Sequence, residues 1–158
     1  MGALMAPLVT LLAVGWLLWL LTAPFLFTPL SSAAYLIGSL VCHQLPDRSF
    51  HLGGVQLPVC ARCLGIYAGS AVGAVIGAVS WSGRRATPAA PMSARTVRWM
   101  LAVVAAPTLA SVLLETADVW RTTNVERAVA GLPLGLGAAL VVISALATLH
   151  YKRDNTRT

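Results

Sequence analysis

The chain alternates long uncharged apolar runs with short polar segments. The first charged side chain is Asp47, and later uncharged runs fill Leu64–Gly83, Trp99–Leu114 and Ala128–His150. Each run is close to the roughly 20 residues that an α-helix needs to cross a bilayer. The pattern predicts membrane-spanning helices at about 7–27, 61–81, 98–118 and 126–150.

A shorter apolar run, residues 30–41, lies between the first two predicted spans. At 1.5 Å per residue it covers about 18 Å, which is only part of a hydrocarbon core of about 30 Å. A half-helix, a re-entrant segment and a short tilted fifth span are all compatible with this length. The first apolar run has no basic residues before it and is longer than a signal-peptide core of about 7–15 residues, so we expect it to stay in the mature protein.

Composition agrees with the hydrophobic pattern. Hydrophobic residues make up 58% of the 158 residues, charged residues 10%, and the mean hydropathy is +0.79. A soluble domain carries about 25% charged residues. The sequence therefore predicts an all-α, polytopic membrane protein, with one domain over residues 1–158 that holds about four main transmembrane helices.

The basic residues predict an orientation in the plasma membrane. Seven of them lie between the second and third spans or in the tail, namely Arg84, Arg85, Arg95, Arg98, Lys152, Arg153 and Arg157. The other four arginines lie beside four acidic residues and are balanced by them, so the net charge of +6 comes from the seven basic residues of the first group less Asp154 in the tail. Cytoplasmic loops carry an excess of Lys and Arg. We therefore expect cytoplasmic termini, an outer cysteine-rich loop and no nucleic-acid partner; a full fifth span at 30–41 would instead place the N terminus outside.

All three cysteines lie between Cys42 and Cys63. The segment between them contains Gly53-Gly54 flanked by short alternating runs, a pattern typical of a β-hairpin. A small outer hairpin within residues 42–60 would bring Cys42 and His43 toward Cys60 and Cys63. Cys60 and Cys63 form a CxxC motif at the start of a predicted helix, where the helix dipole favours thiolate.

Three cysteines and one histidine are the composition of many zinc sites. We therefore predict that Cys42, His43, Cys60 and Cys63 bind a metal, zinc first and iron or copper next, with His51 as an alternative to His43. Redox-active thiols that exchange electrons with a membrane quinone, inert structural cysteines and a heavy-metal carrier are the alternatives. Whether the metal is structural or catalytic stays open at this stage.

A second polar cluster follows the third predicted span. Glu115 and Asp118 are three residues apart on one helical face, and Arg121 is one turn further along if the helix continues. An ionisable group within apolar sequence usually faces a partner or a wet cavity, and we expect Arg48, Arg62 or Arg121 to be the partner of Glu115. Thr123 or Asn124 is expected to cap the last helix, with Glu126 in its first turn. The catalytic candidates are Glu115 and Asp118 as proton carriers, with Arg121 beside them.

The predicted outer end of the bundle also contains candidates for binding a lipid-like or quinone-like molecule. Hydrophobic walls with a few converging polar groups are typical of small-molecule sites. The candidate substrate-binding residues are Gln44, Asp47, Arg48, Arg62, Tyr67, Asn124 and Arg127.

Glycines recur every four residues in the second main span, at Gly65, Gly69, Gly73 and Gly77, and Gly131 and Gly135 repeat this spacing in the last. Such stripes allow close helix packing, either within one chain or between copies in a homo-oligomer. Membrane lipids are the other expected partners.

The cysteine segment resembles the signature of an uncharacterised family of small prokaryotic integral membrane proteins, a domain of unknown function. The resemblance rests on Cys42-His43-Gln44, Pro46, Arg48-Ser49-Phe50, Gly54, Pro58 to Cys63, Gly65-Ile66-Tyr67 and Gly69. A weaker similarity covers residues 107–135, where Arg121, Asn124, Arg127 and Gly131 fit the family outline, while Ser111 stands where the family often has Asp. The resemblance implies that the cysteines and His43 belong together, and it implies no established reaction.

Overall fold

The computed structural model describes residues 5–83 and 93–155. It contains five helices and one hairpin: α1 (Met5–Thr22), α2 (Thr28–Val41), β1 (Ser49–Leu52), β2 (Val55–Cys60), α3 (Ala61–Gly83), α4 (Ala94–Thr116) and α5 (Asn124–Asn155). A single 3₁₀ turn at Ala23–Phe25 follows α1, and another at Pro46–Arg48 precedes β1. The predicted helical membrane fold with a short helix and a hairpin is confirmed.

Four helical segments of the described chain are long and apolar enough to cross a membrane. They cover Met5–Phe25, Ala61–Ser80, Ala94–Thr116 and Asn124–Leu146. The third begins four residues before the predicted start, because the Ser93 Oγ accepts a hydrogen bond from the Thr96 N–H at 3.1 Å and caps α4 there. Arg84, Arg85 and Arg157, which the charge pattern placed in the cytoplasm, lie outside the described residues.

The central helix pair is α3 with α5, and their glycines bring the two backbones together. A Cβ at Gly65 would collide with the Ala128 carbonyl, and a Cβ at Gly135 would collide with the Ile66 carbonyl. Without a hydrophobic driving force between helices in lipid, such close van der Waals contact is a main source of helix association. The glycine stripes therefore act within this chain, as the packing surface between α3 and α5.

The first helix runs antiparallel to α3. Near its start, the Thr10 Oγ1 donates to the Ala74 carbonyl at 3.1 Å, and Ala6 packs with Ala74 and Ile143. Near its end, Leu20 packs against Val59 of the hairpin. The first residues of α1 therefore lie at the same end of the bundle as the C-terminal half of α5.

The short helix α2 packs along β2 at the opposite end, where α3 begins. It starts just after Phe25, whose ring lies beside Gly53 at the hairpin turn, and near its C-terminal end Gly38 lies against the Pro58 carbonyl. Both ends of α2 are thus held at the hairpin. At 14 residues, α2 is shorter than the four helices that are long enough to cross a membrane. The half-helix, the re-entrant segment and the short tilted span stay predictions.

Candidate metal centre

The hairpin joins the end of α2 to the start of α3. Strands β1 and β2 pair antiparallel, with Ser49 opposite Cys60 and Leu52 opposite Val55. Gly53 and Gly54 connect them with φ values of 58° and 82°, a conformation that glycine adopts without steric cost. Because β2 continues directly into α3, Cys60 is the last strand residue and Cys63 lies in the first helical turn.

The three thiols converge at this junction. The Sγ atoms of Cys42, Cys60 and Cys63 all lie within 4.8 Å of one another, and all three cysteines are free. Cys42 is buried, whereas Cys60 and Cys63 are half-buried. Three soft sulfur ligands at this spacing can hold one metal ion.

Backbone N–H groups are directed at the buried thiol. Cys42 follows α2 in an extended conformation, and its Sγ accepts hydrogen bonds from the Cys60 N–H at 3.1 Å and the Gln44 N–H at 3.5 Å. These two backbone contacts hold the Cys42 sulfur in place beside the other two thiols.

The two histidines do not enter the thiol cluster. Among the residues that the structure describes, the group able to share one ion contains neither His43 nor His51, and both side chains are exposed. A histidine as fourth ligand stays a prediction.

Gln44 fastens the loop that carries Cys42. Its Nε2 donates to the Tyr35 carbonyl at 2.8 Å and the Pro58 carbonyl at 2.7 Å, and its own carbonyl accepts from Gln56 Nε2 at 2.6 Å. Its φ of 49° is uncommon for a residue with a side chain. Gln44, predicted to bind substrate, thus makes structural contacts with both α2 and β2.

An apolar and aromatic wall packs against the thiols from the side of α1. Leu20, Cys42 and Val59 form a buried cluster, against which Trp16 and Tyr67 pack. The ring centroids of Trp16 and Tyr67 are 5.8 Å apart and the rings are nearly perpendicular, at 83°, which is a favoured edge-to-face geometry. Tyr67, predicted to bind substrate, therefore lies beside the three thiols.

The Cys60 thiol has acidic character. A hydrogen bond from the Cys63 thiol lowers the pKa of Cys60 to about 5, with a further lowering contribution from Cys42 and an opposing one from burial. An ordinary cysteine has a pKa near 8.5. The Cys63 hydrogen bond therefore favours the thiolate form of Cys60, which is the form that binds metal.

A second, charged cluster lies on the other side of α3. Glu115 at the end of α4 accepts from Arg62 NH2 at 2.9 Å through one carboxylate oxygen and from Arg127 Nε at 2.8 Å through the other. Arg127 NH1 donates to Asn124 Oδ1 at 2.7 Å, and Asn124 Nδ2 donates to the Ser49 carbonyl at 3.0 Å. The Arg62 partner was predicted, whereas Arg127 was predicted only as a substrate-binding residue.

The turn between α4 and α5 explains why Arg127, and not Arg121, is the second partner of Glu115. Helix α4 ends at Thr116, two residues before the predicted end, and Asp118 takes a left-handed φ of 53°. Asp118 therefore leaves the helical face of Glu115 and pairs with Arg121 at 3.5 Å, with both side chains at least 76% exposed. The expectation that Glu115, Asp118 and Arg121 share a helical face is wrong.

The start of α5 has the predicted capping residues. The Thr123 Oγ1 accepts from the Glu126 N–H at 3.3 Å, and Glu126 Oε2 accepts from the Thr123 N–H at 2.6 Å. This reciprocal capping box fixes the first turn of α5, which carries Asn124 and Arg127. Two other candidates, Asp47 and Arg48, are exposed in the turn before β1.

Comparisons with known proteins place this site in a family. An uncharacterized protein of Methanocaldococcus jannaschii is 51% identical over 47 residues, which are 30% of this chain and 30% of that relative. An uncharacterized protein of Methanothermobacter thermautotrophicus is 32% identical over 101 residues, which are 64% of this chain and 83% of the relative. No solved structure gives a significant match. The family model described as "Predicted membrane protein (DUF2085)" matches residues 42–141, from the first cysteine into α5, and the chain belongs to this family.

Proposed function

We propose that this protein is a membrane metalloprotein that binds one zinc ion through Cys42, Cys60 and Cys63. The observation that carries the proposal is the convergence of the three Sγ atoms within 4.8 Å. Zinc–sulfur bonds of about 2.3 Å place tetrahedral sulfurs about 3.8 Å apart. Side-chain rotations that bring the sulfurs about 1 Å closer are therefore sufficient for all three to bind one ion.

Zinc is the first choice because it accepts three thiolates without a demanding geometry, with iron and copper next. The N–H groups of Gln44 and Cys60 on the Cys42 sulfur support this choice. Hydrogen bonds of this kind orient metal ligands and tune their basicity. Their presence supports a metal site over three inert structural cysteines.

The fourth coordination position is the point on which catalysis depends. Three protein ligands and an open position are typical of catalytic zinc, whereas four protein ligands are typical of structural zinc. We propose an open position, because the exposed His43 is outside the thiol group. Zinc bound there supplies Lewis-acid chemistry to a group that enters this position.

The substrate we propose is lipid-like. Trp16 and Tyr67 offer an aromatic wall at the thiols, and the centre lies where the membrane-spanning α3 begins. Arg62 and Arg127 carry two positive charges against the single charge of Glu115, which favours an anionic group nearby. Following the distribution of basic residues in the sequence, we propose that this end faces the outside of the cell.

A thiol–disulfide oxidoreductase is the second candidate, and the acidic Cys60 favours it. A CxxC thiolate with a lowered pKa is the reactive form in redox proteins. In this reaction the Cys60 thiolate and the Cys63 thiol form a disulfide and release two electrons and one proton, which together with one proton from water reduce a quinone to a quinol. A heavy-metal carrier has less support, since the chain has no further cysteine to continue a path across the membrane.

The two candidates differ in metal content. We would measure metals in the detergent-purified protein by plasma mass spectrometry and count free thiols before and after chelation. About one zinc per chain, with thiols that react only after chelation, supports the metalloprotein. No metal, together with two thiols recovered only after reduction, refutes it and supports the oxidoreductase.

Two variants assign the ligands. Cys42→Ser should lower the metal content to a small fraction. Ser39→Ala, which removes an exposed hydroxyl from α2 three residues before Cys42, should leave the metal content unchanged. His43→Ala tests the fourth position. Retained zinc in His43→Ala agrees with an open site, and lost zinc shows that histidine closes it.

A further inference from the structure

The charged cluster and the thiol centre are joined into a closed circuit that begins and ends at Cys60. Cys60 is paired across the hairpin with Ser49 and is followed two residues later by Arg62. From Arg62 the circuit passes through Glu115, Arg127 and Asn124 to the Ser49 carbonyl. The circuit therefore connects the strand opposite Cys60 with the helical turn that follows Cys60, through side chains from α3, α4 and α5.

The contacts of the circuit are charge-assisted at its centre. Glu115 accepts from Arg62 at 2.9 Å and from Arg127 at 2.8 Å, so both of its oxygens are occupied. Such bonds are about twice as strong as those between neutral groups. A carboxylate held by two guanidinium groups is suited to fixing the positions of both arginines, because each of its oxygens already accepts a hydrogen bond.

The circuit and the thiols lie on different faces of the first turn of α3. Cys60 and Cys63 pack toward Leu20 and Val59, whereas the backbone of Arg62 lies against Gly131 of α5. Its side chain reaches Glu115 on α4. The charged residues therefore influence the thiols through the backbone of the turn and not by contact with sulfur.

We infer that Glu115 is a positioning residue for the metal centre. By holding Arg62 and Arg127, it fixes the turn that carries Cys60 and Cys63, and through Asn124 it fixes the strand opposite Cys60. This inference rests on the proposed metal site and assigns Glu115 a role other than proton carrier. Partners that orient ligands typically account for about 10–100-fold in metal affinity.

The test is zinc affinity, measured by competition with a chromogenic chelator, together with the absorption spectrum of the cobalt(II)-loaded protein. Glu115→Gln keeps the shape and removes the charge, and we expect zinc binding about 10–100-fold weaker with altered cobalt bands. Asp118→Asn removes an exposed acid three residues away and is the matched control, with zinc affinity within about twofold of the wild type.

Glu115→Gln leaves two arginines without their carboxylate partner, and an unpaired buried charge can destabilise the bundle. A second variant is therefore needed that keeps all the charges. Asn124→Ala cuts the circuit at the hairpin without removing a charge, and it should also weaken zinc binding and alter the cobalt spectrum. Wild-type affinity and spectra in folded Glu115→Gln and Asn124→Ala would overturn the inference. A wild-type protein that binds neither metal would instead overturn the proposed function.

Discussion

Gly38 is the residue through which the packing of α2 on the hairpin can be tested most directly. A methyl group at this position would lie 2.8 Å from Gln44 Nε2 and 3.3 Å from the Pro58 carbonyl carbon, and closer still to the Pro58 oxygen. Ordinary contacts between heavy atoms begin at about 3.5 Å, so α2 and β2 must separate by roughly 0.7 Å or more. Gly38→Ala therefore strains the segment that carries Cys42.

The cost follows from three contributions. Overpacking of this kind costs about 1–3 kcal/mol, and the two hydrogen bonds that Gln44 donates are worth about 0.5–1.5 kcal/mol each. Alanine regains about 0.8–1 kcal/mol over glycine within a helix. We expect Gly38→Ala to lower the free energy of unfolding by roughly 1–5 kcal/mol.

Thermal unfolding in detergent, followed by circular dichroism, measures this loss. For a chain of this size each kcal/mol changes Tm by about 2–4 °C. Gly15→Ala is the matched control, since a Cβ at Gly15 of α1 meets no atom within 4 Å, and it should be neutral or slightly stabilising. If Gly38→Ala unfolds at the same temperature as Gly15→Ala, the tight contact between α2 and β2 is refuted.

The remaining predictions concern helix packing, zinc and thiol chemistry. Gly135→Ala should lower Tm by at least as much as Gly38→Ala, because its methyl would collide with the Ile66 backbone; a Tm like that of Gly15→Ala would contradict this. Zinc at 100 times its Kd should raise the free energy of unfolding by about 2.7 kcal/mol and chelation should remove the gain; denaturation that does not respond to zinc argues against the site. In metal-free protein the thiolate of Cys60 forms as pH rises through about 5, so iodoacetamide labelling quantified by peptide mass spectrometry should increase across that pH and level off above it. A labelling midpoint near 9 would show an ordinary thiol.

Hydrophobic patterning predicted the helices because a long apolar segment in lipid has no water to bond its backbone. Such a segment must satisfy its backbone N–H and C=O groups internally, as an α-helix does. The hairpin was predicted from Gly53-Gly54, where both residues adopt positive φ. The meeting of the three thiols then follows from the hairpin, since a chain that reverses after Cys42 returns to it at Cys60. The helices, the hairpin and the meeting of the thiols all depend on residues close to one another in the chain, so a single sequence is enough to predict them.

The partners of Glu115 could be predicted only in part. Arg62 was among the three arginines considered, but Arg127 comes from a helix whose direction depends on how the α4–α5 turn closes. Asp118 occupies the left-handed region, so the regular helical spacing no longer applies after Thr116. A turn of this kind is determined by tertiary packing, which no periodicity in the sequence records.

The position of α2 connects the fold to the proposed chemistry. Leu36 and Leu40 are 68% and 78% exposed on α2, a helix that has no charged residue and ends at Val41, directly before Cys42. In a chain whose long helices cross a bilayer, such a surface is stable when lipid covers it, because large exposed apolar patches are unfavourable in water. The proposed metal centre would then lie at the boundary between lipid and water. The proposed lipid-like substrate would reach this centre from the membrane, and this route is the physical reason for proposing it over a water-soluble substrate.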